Sequence, residues 1–349
     1  MTDGAEVLIL GAGPVGCVLA LALRGSRHRV RLVDPQPASG AATRPIALSQ
    51  SSRLILERIG AWGGFSATPI LSIHVSQAGA FGRTRMDAAD AGVPALGYVT
   101  DYAELLGALR ARVDVAREPG TNAGCTIHAE GSAGESRERR YLHDALVARV
   151  TADTPSAGMA YERFTAQGPL ALLPFAGEWA LVWSAHPQRA AELMQAAPQE
   201  FLAQLQQAFG DRAGRFSALR SRARVPLALR LRGSRVAERE VYIGNAAQTL
   251  HPVAGQGLNL GLRDAWDLAQ ALQGADDPGD ARVLARYGAQ RRPDAAATIG
   301  VTELLARGFA GANPFARAAR GAILAGLDLL PPARRFFARR MMFGPSALP

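Results

Sequence analysis

From Val7 to Leu23 the chain carries no charge, and its glycines divide the run into parts. Val7-Leu8-Ile9-Leu10 is an apolar stretch of strand length. Gly11-Ala12-Gly13-Pro14-Val15-Gly16 reads as a tight turn, and Cys17 to Arg24 as a helix ending near Gly25. Arg29-Val30-Arg31-Leu32-Val33 alternates as a second strand, closed by Asp34. A charge-free run of this length superficially resembles a signal peptide or a membrane span. Asp3 and Glu6, however, stand where a signal peptide is basic, and the Gly and Pro residues interrupt it. The pattern therefore predicts a buried strand, a turn, a helix and a second strand.

That unit predicts a dinucleotide site. Gly11 permits the turn, Gly13 lets backbone approach a pyrophosphate, and Gly16 lets helix pack on strand. The N-terminus of the helix that follows offers free N–H groups to phosphate. Asp34 would accept hydrogen bonds from a ribose. The motif does not choose between FAD and NAD.

A second pattern lies far downstream. Val241-Tyr242-Ile243 is β-rich and enters Gly244-Asn245-Ala246-Ala247, and Pro252-Val253-Ala254-Gly255-Gln256-Gly257 then feeds a helix from Leu258 to about Leu272. This is a second strand–loop–helix site for an anion or cofactor, with the helix dipole aimed at the loop. Between the two motifs, Tyr161–Thr165, Leu170–Pro174 and Trp179–Ser184 read as strands, and Gln199 to Phe209 as an amphipathic helix.

Composition changes the picture little. The chain has 349 residues, 48% of them apolar, enough for one large core or two packed domains. All 39 basic residues are Arg and the net charge is +9, but they are scattered, without the aromatic interleaving of a nucleic-acid surface. Cys17 and Cys125 are too few for a disulfide framework and have no metal-ligand spacing, which fits a reducing cytoplasm. No Ser-His-Asp set, metal cluster or carboxylate pair stands out.

The two motifs together resemble the flavoprotein aromatic hydroxylases of the p-hydroxybenzoate hydroxylase fold. Gly244-Asn245-Ala246-Ala247-Gln248-Thr249-Leu250-His251-Pro252 resembles their ubiquinone-biosynthesis branch, the 2-polyprenyl-6-methoxyphenol hydroxylases. Arg44-Pro45-Ile46-Ala47-Leu48, Pro94–Val99, Tyr161–Thr165, Gly168–Pro174 and Arg291-Arg292-Pro293-Asp294 agree. The resemblance implies an α/β fold: a Rossmann-like FAD-binding domain, an inserted mixed β-sheet substrate domain and a C-terminal helical tail. The implied FAD domain is discontinuous (1–66, 97–135 and 238–300), the substrate domain takes 67–96 and 136–237, and the tail 301–349. Asn245 stands where most of the wider family has Asp, and Gln248 where many relatives have His. Ala129-Glu130-Gly131 matches an Asp-Gly motif with Glu for Asp. The segment from Val113 to Thr126 is shorter than in relatives, which implies a trimmed flavin domain.

The resemblance further implies an FAD-dependent monooxygenase. NADH or NADPH would supply electrons, and one oxygen atom of O₂ would enter a polyprenyl-phenol of ubiquinone biosynthesis. Gly11, Gly13, Pro14, Val15, Gly16, Asp34, Arg44, Gly244, Asn245, Pro252, Gly255, Gln256, Gly257, Leu258 and Asn259 would hold FAD. Phe164, Leu170, Leu172 and Trp183 are candidates for the substrate wall, against an ordinary place in the sheet core. His251 is the candidate base, against a turn cap. No metal is expected. Two alternatives stand beside this reading: a flavin reductase on the same fold, and a non-catalytic FAD-fold scaffold of a quinone-synthesis assembly. The tail mixes Arg with Phe315, Ile323, Leu330, Phe336 and Met341, which suits peripheral contact with the inner membrane face from the cytoplasm, or cover for the flavin domain. Other ubiquinone-biosynthesis proteins are expected partners; nucleic acid is not.

Overall fold

The computed structural model describes residues 5–34, 44–120, 123–131, 136–251, 255–308 and 314–344. β1 (Glu6–Leu10) sits inside a six-stranded sheet. Its order is β15 (Val236–Ala237), β16 (Glu240–Tyr242), β9 (Ala123–His128), β1, β2 (Arg29–Val33) and β8 (Val115–Ala116). All neighbours from β16 to β8 are parallel. Parallel strands need covered faces, and the sequence supplies apolar runs for them. α1 (Pro14–Ala22) is buried along its whole length. It packs on α4 (Tyr102–Arg110) and on α7 (Gln256–Gln273). Cys17 and Cys125 are free, buried core residues, as their apolar surroundings predict. The chain crosses from β8 to β9 within six residues, and among the described residues no strand intervenes.

The second sheet has eight strands. They run β17 (Gln248–Thr249), β14 (Phe216–Leu231), β10 (Arg137–Ala152), β13 (Glu178–Ala185), β12 (Gly168–Phe175), β11 (Met159–Thr165), β5 (Ser72–Gln77) and β6 (Arg83–Asp87). Strand alternation gives it two faces. One carries Leu146, Leu170, Leu172, Leu181 and Trp183. α5 (Pro187–Gln195) and α6 (Pro198–Phe209) close that face with Leu193, Phe201, Leu205 and Phe209. Each such large side chain contributes about 1.5–3 kcal/mol by leaving water.

The other face is approached by a three-stranded sheet, β3 (Pro45–Ser49), β7 (Gly97–Asp101) and β4 (Ala67–Ile70). Ala160, Phe175 and Ala180 there join Ile70, Val99 and Met342 in one cluster. Met342 belongs to α10 (Pro331–Phe343), which follows α9 (Pro314–Leu329). α2 (Gln50–Arg58) and α3 (Ala88–Ala91) touch α10, and α8 (Ala281–Gly308) packs on α7.

Candidate functional site

The two glycine motifs, more than two hundred residues apart, meet at Val15. The helical turn of Gly244 (φ +58°) would put a Cβ 3.2 Å from Val15 Cγ2. A Cβ on Gly261 would stand 2.8 Å from the same atom and 3.0 Å from Gly244 Cα. Only glycines allow α1, α7 and the turn after β16 to come this close. Gly11 (φ +99°) passes against Glu130, where a Cβ would lie 2.7 Å from its backbone nitrogen. A Cβ on Gly16 would overlap the Gly11 carbonyl oxygen.

Gly13 is different: a Cβ there would meet nothing within 4 Å. The same is true of Gly257 in the second motif. Gly13 caps α1 and Gly255 (φ +60°) caps α7, neither with a side-chain cap or an acidic residue in the first turn. Two helix N-termini thus present free backbone N–H groups and positive dipole ends at open glycines. Asn245 is the only exposed residue between Val241 and Gln248, and its side chain makes no hydrogen bond among the described residues. Two such ends suit an anionic ligand such as a dinucleotide pyrophosphate. Gly11, Gly16 and Gly244 allow the close packing that makes the cradle, and Gly13, Asn245 and Gly257 are left open.

Asp34, at the end of β2, is held by the guanidinium of Arg110, whose Nε also donates to the Ala12 carbonyl at 2.9 Å. Sequence reading missed Arg110, which is nearly eighty residues away and reaches the first motif only because α4 packs on α1. Arg44 is exposed, with its guanidinium 4.3 Å above the Tyr102 ring. Gly255 approaches Ala47 of β3, where a Cβ would be 3.0 Å from the Ala47 Cβ. Leu258 packs at the edge of the first core. The Gln256 side chain donates to the Met341 carbonyl of α10 at 3.5 Å. Pro252 lies outside the described residues.

Asn259 requires a correction. Its Oδ1 accepts from Ser49 N at 2.8 Å and Ser52 Oγ at 2.7 Å, and its Nδ2 donates to Ala47 O at 3.0 Å and Gly255 O at 2.7 Å. With its hydrogen-bonding capacity taken up by protein, this side chain ties β3 and α2 to the start of α7, which leaves only its backbone for a ligand.

His251 is buried, its ring set edge-on against Tyr141 with centroids 4.9 Å apart. Burial first, then nearby His143, push it down to about 4, against the opposing pull of Glu303. It is therefore neutral near pH 7 and a weaker base than an ordinary imidazole.

The substrate wall is also corrected. Leu170, Leu172 and Trp183 point to the face sealed by α5 and α6 and are at most 1% exposed. They are sheet core. Phe164 alone of the four candidates has the opposite parity. On its face, β-register places Val75, Glu162, Ala171, Val182 and Val147 in one row, each directly opposite the next across five strands. All five are partly accessible, where the sealed face is closed. β4 and β7 border this face on β12, and their partner β3 carries Ala47 beside Gly255. β3 and β7 thus link the sheet that carries the wall to the start of α7.

Glu162 is the one polar residue of those five. It keeps some accessible surface but is densely surrounded, and its carboxyl has no hydrogen-bond or ion-pair partner among the described residues. Burial, the only influence resolved, pushes it up to about 7. The signal for it was present in the sequence: Glu162 and Arg163 are adjacent on a strand, so one of the two charges has to face inward.

Comparison with known proteins agrees with this geometry. A family model described as an FAD binding domain matches residues 118–302. A ubiquinone hydroxylase of Rhodospirillum rubrum is 30% identical, over 97% of this chain and 89% of that protein. The 3-demethoxyubiquinol 3-hydroxylase of Escherichia coli is 28% identical, over 83% of this chain and 86% of that protein. Among solved structures, p-nitrophenol 4-monooxygenase from Pseudomonas putida superposes with a TM-score of 0.75 over 97% of each chain, at 16% identity.

Proposed function

This chain belongs to the FAD binding domain family, and from that premise we propose that it is an FAD-dependent monooxygenase hydroxylating a polyprenyl-phenol of ubiquinone biosynthesis. The observation that carries the reading is the packing of α1 on α7 at Val15 and Gly261, each helix having an uncapped N-terminus with an open glycine, Gly13 or Gly257. The names of the relatives supply the substrate class.

Bound FAD, reduced by NADH or NADPH, supplies the electrons and activates O₂. The protein's part is position, charge and dryness. The backbone N–H groups at the start of α1 hold the pyrophosphate, and those at the start of α7 favour negative charge on the reduced ring. Asp34, steadied by Arg110, accepts from the ribose. Asn245 meets the linking chain as a neutral hydrogen-bonding group. Val75, Ala171, Val182 and Val147 form a wall that admits an aromatic ring and sheds water.

The test is hydroxylation of ortho-prenylphenol by purified protein with FAD, NADH and isotopically labelled O₂. A product carrying one labelled oxygen is expected. Flavin reduction without labelled product would leave a reductase, and failure to take up FAD would leave the scaffold reading.

We further propose that α9 and α10 rest on the cytoplasmic face of an anionic membrane, where a polyprenyl substrate resides. Ile323, Leu329, Leu330 and Phe336 are 59–78% exposed, and Arg335 is exposed beside Phe336. No helix of the described residues is long and apolar enough to cross a membrane. Basic residues beside exposed apolar ones suit a lipid surface. Burying Phe336 contributes about 1.5–3 kcal/mol, so Phe336→Ser is expected to weaken flotation with anionic vesicles roughly ten-fold or more. Unchanged flotation would remove α10 from the contact.

A further inference from the structure

We infer that Glu162 is the catalytic residue that takes the phenolic proton of the substrate. The inference rests on the hydroxylase reading above and names the group that reading lacks.

The position argues first. Glu162 lies in the middle of the row Val75–Glu162–Ala171–Val182–Val147, on the sheet face opposite α5 and α6. Its neighbours along the strand on that face are Ala160 and Phe164. The row continues through Val75 to Thr84 of β6, whose hydroxyl cannot take a proton at neutral pH, so the Glu162 carboxyl is the basic group of the row.

The energetics argue second. An unpartnered carboxyl among apolar groups costs several kcal/mol when charged. Leu or Val would pack there without that cost. A carboxyl with no partner among the described residues is explained by a ligand that brings one.

The alternatives are engaged. On this face Arg149 pairs with Glu178 at 2.8 Å, Arg220 reaches the other Glu178 oxygen at 3.1 Å, and Arg320 from α9 donates to Gln77 at 3.2 Å. None of these groups figures among the influences on Glu162. Arg163 points to the opposite face, next to Leu170. His251 is a weaker base than an ordinary imidazole.

The step moves one proton. The substrate O–H bond breaks, an O–H bond forms on the Glu162 carboxylate, and the electron pair stays on the phenolate oxygen. That pair enriches the ring carbon that takes oxygen. The proton returns to the same oxygen when the oxygenated ring rearomatises and the displaced ring proton leaves to water. General-base help of this kind contributes typically 10²–10⁴-fold, and it is most effective when the base titrates near the working pH.

The test compares wild type and Glu162→Gln, both loaded with FAD, in single turnovers. Two probes are used: ortho-prenylphenol, and a fluorinated ortho-prenylphenol already ionised at the assay pH. A third readout, independent of turnover, is the pH dependence of probe binding, followed by perturbation of the flavin spectrum. For wild type we expect hydroxylation of the first probe to fall below about pH 7. For the Gln variant we expect about 100-fold slower hydroxylation, no such pH limb, unchanged FAD stoichiometry, and recovery of most of the rate with the ionised probe. Equal rates in both proteins, or equal loss with both probes, would overturn the role and make Glu162 a packing residue. If wild type holds FAD and oxidises neither phenol, the hydroxylase reading falls and this inference falls with it.

Discussion

Arg291→Met is expected to cost about 3–5 kcal/mol of stability and to weaken FAD binding at a distance. Arg291 is 2% exposed on α8. Its Nε donates to Asp264 at 2.9 Å, its Nη1 to Asp267 at 2.7 Å and its Nη2 to Asp294 at 2.7 Å. Arg263 also binds Asp294, at 2.8 Å, and Arg235 binds Asp264, at 3.1 Å. Burial opposes the Arg291 charge, but Asp264, Asp294 and Asp267 together raise its pKa. Burial likewise opposes the Asp294 charge, and Arg263 and Arg291 overcome it and lower its pKa. Met matches the length of the Arg stem but removes the cation that buried Asp264 and Asp294 share, leaving Asp264 only Arg235 and Asp294 only Arg263.

The consequence reaches the cofactor because Asp264 Oδ2 also accepts from Gly244 N at 3.2 Å and from Gln248 Nε2 at 2.8 Å. The turn that exposes Asn245 hangs on this carboxylate. Thermal melts and FAD titrations of Arg291→Met, Asp264→Asn and the double variant measure it. The double variant is expected to cost less than the sum of the singles, because residues in one network couple. Additive losses would show that Arg291 and Asp264 act separately.

The second large effect is a reversal of the usual size rule in the first motif. Gly13→Val is expected to leave the fold intact and to lower FAD affinity on the order of 100-fold or more. Gly13 is extended (φ −72°, ψ 178°), which Val adopts, and its Cβ would meet nothing within 4 Å. The added side chain stands where the pyrophosphate approaches. Losing two hydrogen bonds to a charged group, each about 1.5–3 kcal/mol, accounts for that factor. Gly16→Ala adds less but is expected to be far worse for folding. Its Cβ overlaps the Gly11 carbonyl, and struck backbone relaxes less than a side chain, so the cost exceeds the about 1–3 kcal/mol of ordinary overpacking. Melts without FAD separate the two. A Gly13→Val protein that melts early, or that binds FAD as wild type does, would contradict this account of the cradle.

Much of the fold was legible in the sequence for a local reason. β1, α1 and β2 follow from one apolar run cut by glycines at fixed spacing, and the α7 helix follows from a Pro/Gly loop feeding a periodic stretch. Such signals need no knowledge of the rest of the chain. The Arg291–Asp294 motif was legible as a motif and silent as physics, since its partners Asp264 and Arg263 lie on another helix. The misreadings share a cause. Leu170, Leu172 and Trp183 were plausible wall residues because the sequence shows that a strand alternates but not which face the helices cover. Asn259 carries the right chemistry for a ligand contact, but Ala47 and Ser52 take up that capacity from elements about two hundred residues away.

By itself, then, the sequence determined the βαβ unit, the second glycine motif and the family resemblance, because spacing and residue type act within a few residues. The tertiary structure alone decided that Val15 joins the two motifs, that Arg110 steadies Asp34, and that Glu162 has no partner among the described residues on the face opposite α5 and α6. Each of these depends on which surfaces come together. Packing sets that through burial and exclusion summed over the whole chain.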